Sequence, residues 1–174
     1  MHPIVQWSAV AALAVAASRA DLRTRRVPNV LTFGAASAGL LLWTFAGGFS
    51  GLAHSALGWL LGLALFFPLF AVAGMGAGDL KLLAAFGALL GPTGALSTAL
   101  ISAIVGGLMA FVIGAATGYL GDAFRNLGVI LTTWRIAGIS PIPGITLQDA
   151  RGPRLAYALP IASGAIITLW LGYV

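Results

Sequence analysis

The sequence predicts an all-α membrane protein of about six transmembrane helices, with its N-terminus outside. Composition, the spacing of apolar runs and the placement of charge predict it. Of the 174 residues, 60% are hydrophobic and only 7% are charged, whereas a soluble domain carries about 25% charged residues. A soluble fold of this size lacks the interior to hide so much apolar surface. Lipid as the solvent removes that requirement. The apolar residues fall into six runs separated by polar or glycine-rich breaks, and the basic residues crowd into alternate breaks. The chain reads as one polytopic domain, 1–174.

The first run, 3–20, is long enough to span as a helix at roughly 1.5 Å per residue. Small residues end it at Ala16-Ala17-Ser18, as in a cleaved signal. A signal peptide carries its positive charge before the apolar run, however, and here Arg19, Arg23, Arg25 and Arg26 follow it. The run is therefore expected to stay as the first helix. A polar stretch, 19–29, leads to a second span, 30–46, with Pro28 suited to a first helical turn. Gly47-Gly48-Phe49-Ser50-Gly51 reads as a tight turn. The third span is 52–73. Gly74-Met75-Gly76-Ala77-Gly78-Asp79 interrupts the apolar sequence, and a fourth helix starts near Asp79 and ends near Gly91-Pro92-Thr93-Gly94. The fifth is 95–117.

The longest non-spanning region is 119–154. Its apolar patch, 127–139, is too short to span, so a short interfacial helix is expected between helices five and six. Ser140-Pro141-Ile142-Pro143-Gly144 breaks any helix. The last span is 155–173, with Trp170 and Tyr173 as interface anchors.

An N-terminus outside makes the loops after helices one, three and five cytoplasmic. Those loops hold Arg19, Arg23, Arg25, Arg26, Lys81, Arg125, Arg135, Arg151 and Arg154, which is every Lys and Arg in the chain. This obeys the positive-inside rule. The net charge of +5 is thereby read as orientation, not as affinity for nucleic acid.

Cysteine and glutamate are absent. Disulfides, thiol catalysis and cysteine-based zinc sites are excluded. No metal or other cofactor is expected. His2 and His54 fall on the outer side and are expected to be uninvolved. Acid–base chemistry must draw on Asp21, Asp79, Asp122 and Asp149, the only carboxylate side chains.

Asp21 and Asp79 share the cytoplasmic side in this topology. The apolar stretch 80–90 covers about 16 Å as a helix, short of a hydrocarbon core of roughly 30 Å. Either that helix is short and Asp79 starts it at depth, or it runs on through Gly91. In the first case the glycines fit, because irregular backbone at membrane depth survives only against protein or a water-filled cavity, and glycine admits another backbone closely. An ionisable residue at such depth points by default to function. Two carboxylates facing one cavity cannot both ionise easily and share a proton. The plainer readings are that Asp21 caps a helix or pairs with Arg19 or Arg25, and that Asp79 caps helix four. Spacing alone leaves both open.

Three motifs add a resemblance. Gly76-Ala77-Gly78-Asp79 matches the GxGD motif of intramembrane aspartic proteases, and with Leu80-Lys81 it resembles the GxGDxK form of bacterial type IV prepilin peptidases. Asp21 with Pro28-Asn29 seven and eight residues later resembles that family's first motif. Tyr157-Ala158-Leu159-Pro160 resembles its Tyr-x-x-Pro segment at the start of the last helix. The resemblance implies removal of a short, basic leader from a prepilin at the cytoplasmic face of the bacterial inner membrane. It implies Asp21 and Asp79 as the catalytic pair. Gly76, Gly78 and Lys81 would support the second aspartate, Pro28 and Asn29 would shape the first loop, and Tyr157 and Pro160 are candidate substrate contacts. Larger members carry a cytoplasmic domain with paired cysteines and also methylate the new N-terminus. None is seen here, so peptidase activity without methyltransferase activity is expected. The compact form resembles the peptidases of tight-adherence (Flp) pilus systems.

Lys81 reads equally as a support for the site and as a lysine snorkelling to the interface. Asp122 and Asp149 read as solvated partners of nearby arginines, or as attractors of a basic leader. Gly106-Gly107 and Gly114-Gly118 read as close helix packing. Prepilin and membrane lipids are the expected partners, and a homo-oligomer stays open. Two other functions stay open on the residues alone: a small transporter using intramembrane carboxylates, and a non-enzymatic assembly factor for a pilus or secretion complex.

Overall fold

The computed structural model describes residues 2–72, 74–139, 142 and 155–172. They form an all-helical fold of five elements, α1 (Pro3–Thr24), α2 (Asn29–Ala71), α3 (Ala77–Ala116), α4 (Leu120–Ala137) and α5 (Ala158–Trp170). Two of these, α2 and α3, are long and apolar enough to cross a membrane.

Each of those two is a helical hairpin. Gly48 (φ 58°, ψ −137°) breaks α2 and Gly91 (φ 77°, ψ −176°) breaks α3. Both torsions favour glycine, which has no Cβ to clash. The chain doubles back at each: a methyl on Gly51 would overlap the Trp43 carbonyl, and one on Gly87 would lie 3.2 Å from the Ala95 Cβ. Residues eight apart in a straight helix are about 12 Å apart. The breaks fall where the sequence predicts turns, but they are tighter: one glycine at each instead of a four- or five-residue loop. Pro92 begins the second arm of α3, where a missing N–H is harmless.

The first arm of α3, 77–90, is the centre of the fold. Every residue from Leu82 to Leu90 is buried, as expected of a helix that is apolar all round. Both arms of α2 pack on it through glycine. Gly58 and Gly87 approach backbone to backbone, and a Cβ on Gly62 would lie 2.7 Å from the Ala84 Cα. Gly58-Trp59-Leu60-Leu61-Gly62 is thus a small-xxx-small contact. The second arm of α3 packs on α5, where Gly164 meets Ser102 and Thr98. Helix α1 lies mainly against α5.

The break at Gly91 frees carbonyls at the end of the central arm, inside the protein. Three helical segments satisfy them. Gln6 Nε2 and Trp43 Nε1 donate to the Leu89 carbonyl at 3.1 and 3.0 Å, and Ser55 Oγ donates to that of Ala88 at 2.7 Å. An orphaned buried carbonyl is costly, which accounts for these polar residues in otherwise apolar runs. His54 meets Trp43 in a tilted ring contact, 4.4 Å between centroids, and lies against Gly91, at the end of the central arm away from Asp79.

Of the glycines read as packing positions, Gly106 lies against the Tyr157 ring and Gly114 against Leu120. Gly107 has nothing within 4 Å, and Gly118 (φ 71°) turns the chain between α3 and α4. Helix α4 is longer than expected, 18 residues against a patch of about thirteen, and none of its residues is buried. Asp122 pairs with Arg125 at 2.9 Å on its exposed side. Asp149, Arg151, Arg154, Tyr173 and most of the 140–144 break lie outside the described residues.

Candidate active site

Both candidate aspartates sit at helix N-termini. Asp21 lies within α1, one turn before its end at Thr24, and is only 6% exposed. Its Oδ2 accepts a hydrogen bond from the Ala158 backbone N–H at 3.1 Å. Ala158 is the first residue of α5, so Asp21 serves an orphan donor at the positive end of that helix. The expectation that Asp21 caps a helix is met across the fold, from α1 to α5. The same residue's backbone carbonyl receives the Arg25 N–H at 2.8 Å, where Arg25 closes α1 in the left-handed region (φ 53°).

Asp79 is in the first turn of α3, whose N-cap is Gly76. It therefore occupies the third helical position and not the cap itself. Its carboxylate accepts a hydrogen bond from the Gly76 backbone, the reach-back of the acidic residue in a capping box. A Cβ on Gly76 would stand 3.3 Å from Asp79 Oδ2. Neither Gly76 nor Gly78 has a positive φ, so backbone conformation does not require glycine at either, and of the two only Gly76 is short of space.

The two carboxylates lie within electrostatic reach of each other. The charge on Asp21 is felt at Asp79, and the Asp79 charge at the Tyr157 hydroxyl. Tyr157 precedes α5, half-buried, with its ring on Gly106 and edge-on to Phe66 at 6.4 Å. Two further contacts tie the polar stretch after α1 to the start of α3. Val27 is buried against Gly78. Lys81 Nζ donates to Asn29 Oδ1 at 3.1 Å and lies 5.4 Å from the centroid of the Phe33 ring. Pro28 is the N-cap of α2 and its carbonyl receives the Leu31 and Thr32 N–H groups. Pro160 is fully buried in the first turn of α5, a position that proline starts well. Among the described residues no group of three His, Cys, Asp or Glu could hold a metal ion.

The three sequence motifs thus meet at one end of the bundle: the Asp–Pro–Asn stretch, the glycine–aspartate turn and the tyrosine before α5. The family model for the type IV leader peptidase family matches residues 8–111. The chain belongs to the type IV leader peptidase family. Membership makes it a protease of the leader-peptidase kind, and prepilin-type precursors are the substrates that the family implies. The match takes in both aspartates and stops before α4 and Tyr157. Searches of curated proteins and of solved structures returned no match.

Sequence reasoning missed the Ala158 N–H as a partner of Asp21. A backbone donor has no residue type to read, although Pro160 marks the helix start that exposes it. It also missed Gln6, Trp43 and Ser55, whose one signal is a polar atom within an apolar run.

Proposed function

We propose that this chain is an intramembrane aspartic endopeptidase that removes the basic leader from prepilin-like precursors at the cytoplasmic face of the bacterial inner membrane. The observation behind it is the convergence of Asp21 and Asp79, at the N-termini of α5 and α3, in a chain of the leader peptidase family. In this reading six segments cross the bilayer: α1, both arms of α2, both arms of α3, and α5. The N-terminus is outside, and α4 lies along the cytoplasmic interface. Support comes from the large apolar side chains on the outside. Phe45 (86%) and Ile104 (71%) are exposed among many others, as lipid permits and water does not, while small residues let the helices approach closely.

Helix lengths support a recessed site. The central arm of α3 and the 13-residue α5 are each about 20 Å long, against a hydrocarbon core of about 30 Å. Both start at the aspartates, so the pair is recessed from the cytoplasmic interface. Water admitted there is the nucleophile. One carboxylate, ionised, takes a proton from it, while the protonated partner donates to the scissile carbonyl oxygen. The gem-diol then collapses. The first carboxyl gives the water proton to the leaving nitrogen as the C–N bond breaks, and a diol hydroxyl returns a proton to the second carboxylate, so both groups regain their starting state. Gly76 leaves room for an extended substrate backbone beside Asp79, and Tyr157 borders the same space. No methyl transfer is part of this reading, and the mature pilin leaves with a free, unmethylated N-terminus.

The test is leader removal from a purified prepilin by the detergent-solubilised protein, read on gels and by the mass of the new N-terminus. Wild type cleaves once, just before the hydrophobic segment, and Asp79→Asn loses about 10²–10⁴-fold in rate. An Asp79→Asn protein that cleaves at the wild-type rate would sink the proposal, as would a methylated product for the no-methylation part. A pure assembly factor tolerates the change and supports piliation without cleavage.

A further inference from the structure

Between α1 and α5, beside but not including the buried Asp21, lies a groove of about 640 Å³ lined mainly by apolar atoms. Val15 and Leu22 form one wall and Leu159 and Ile166 the other, while Arg19 and Arg23 stand at its rim near the end of α1. The two arginines are four residues apart, hence on one helix face. Both are exposed, and neither pairs with a carboxylate among the described residues. From Val15 to Arg23 the groove runs about 12 Å along α1.

We infer that this groove is a binding site for an anionic phospholipid, with the phosphate held by Arg19 and Arg23 and an acyl chain lying between α1 and α5. Rim and wall select that chemistry together. Two guanidiniums present a fork of donors to phosphate oxygens, and the apolar trench below them takes hydrocarbon. A peptide helix is a poorer occupant. The basic leader of the proposed substrate is repelled by the two arginines at the rim. The inference rests on the chain lying in a membrane and not on its catalysis. The site has a consequence for the aspartates all the same. The groove walls are the two helices that the Asp21–Ala158 hydrogen bond joins, so a lipid seated between them holds both sides of that contact.

The experiment is native mass spectrometry of the protein released from micelles doped with either phosphatidylglycerol or phosphatidylcholine of the same acyl chains. Wild type retains the anionic lipid preferentially. Arg19→Gln/Arg23→Gln weakens its retention by about thirtyfold, the expected worth of two surface arginines against an anionic headgroup. Ile166→Trp, which fills the trench and leaves the rim intact, lowers retention of both lipids. Equal retention of the two lipids by wild type, or an undiminished preference in the double arginine variant, would overturn the inference. So would a photo-crosslinker at Leu22 that captures prepilin and no lipid in membranes holding both.

Discussion

Asp21 anchors α5 and is also the proposed catalytic partner of Asp79, and a pair of substitutions separates the two. Its carboxylate is 6% exposed and accepts the Ala158 N–H at 3.1 Å, so it seats α5 whether or not it does chemistry. In Asp21→Asn the amide oxygen keeps that acceptor. The bond changes from charge-assisted to neutral, from about 1.5–3 to about 0.5–1.5 kcal/mol, a loss of about 1 kcal/mol. In Asp21→Ala the N–H is left without a partner in a buried place, which costs about 1–3 kcal/mol, with a further contribution from the void. Stability should therefore fall in the order wild type, Asn, Ala. Activity should not follow that order. Asparagine cannot take a proton from water, so both variants should lose about 10²–10⁴-fold in prepilin cleavage. The assay is thermal unfolding in detergent by intrinsic fluorescence, run beside leader removal on the same preparations. If Asp21→Asn cleaves within tenfold of wild type while Asp21→Ala is unfolded or inactive, Asp21 is a helix cap, and the pairing with Asp79 as a catalytic dyad is wrong.

Lys81→Met and Asn29→Ala each remove the 3.1 Å bond that ties the polar stretch after α1 to the start of α3. Each should lower cleavage several-fold, and a double-mutant cycle should show the two losses to be non-additive; additive losses would mean the bond does not form. Ser55→Ala orphans the Ala88 carbonyl and should cost about 1–3 kcal/mol, whereas Gln6→Leu leaves the Leu89 carbonyl its Trp43 donor and should cost less. Equal midpoints in thermal unfolding would refute that accounting. Gly58→Leu should abolish folded expression, because any Cβ there overlaps the Gly87 carbonyl, while Gly107→Ala, with nothing within 4 Å, should be neutral. Size-exclusion profiles in detergent read both.

Much of this protein was legible before any tertiary structure, because apolar composition and the spacing of its breaks carry it. Apolar runs long enough to span, broken by glycine, marked the helices to within a few residues. The breaks at Gly48 and Gly91 fell inside the turns expected of them. Basic residues gathered beside alternate breaks, and two carboxylates stood next to glycine and proline in a recognisable order. That order pointed to the leader peptidase family, which the match over 8–111 bears out.

Other features depend on which surfaces meet, and no local pattern encodes that. The central place of 77–90 is one: its sequence is no more apolar than that of its neighbours, and only packing shows that α2 wraps it while α5 takes the second arm. The polar partners of the freed carbonyls are another, since Gln6, Trp43 and Ser55 acquire a purpose only when three segments converge on one helix end. Asp21 and Asp79 stand in the chain as two aspartates beside turns. The fold brings α1 against α5 and both against the start of α3. Each carboxylate thereby gains a backbone donor at a helix N-terminus and a neighbour of like charge. Sequence alone named the pair, and the tertiary structure brings its members within electrostatic reach of each other, because proximity between residues so far apart along the chain is made by packing and not by spacing.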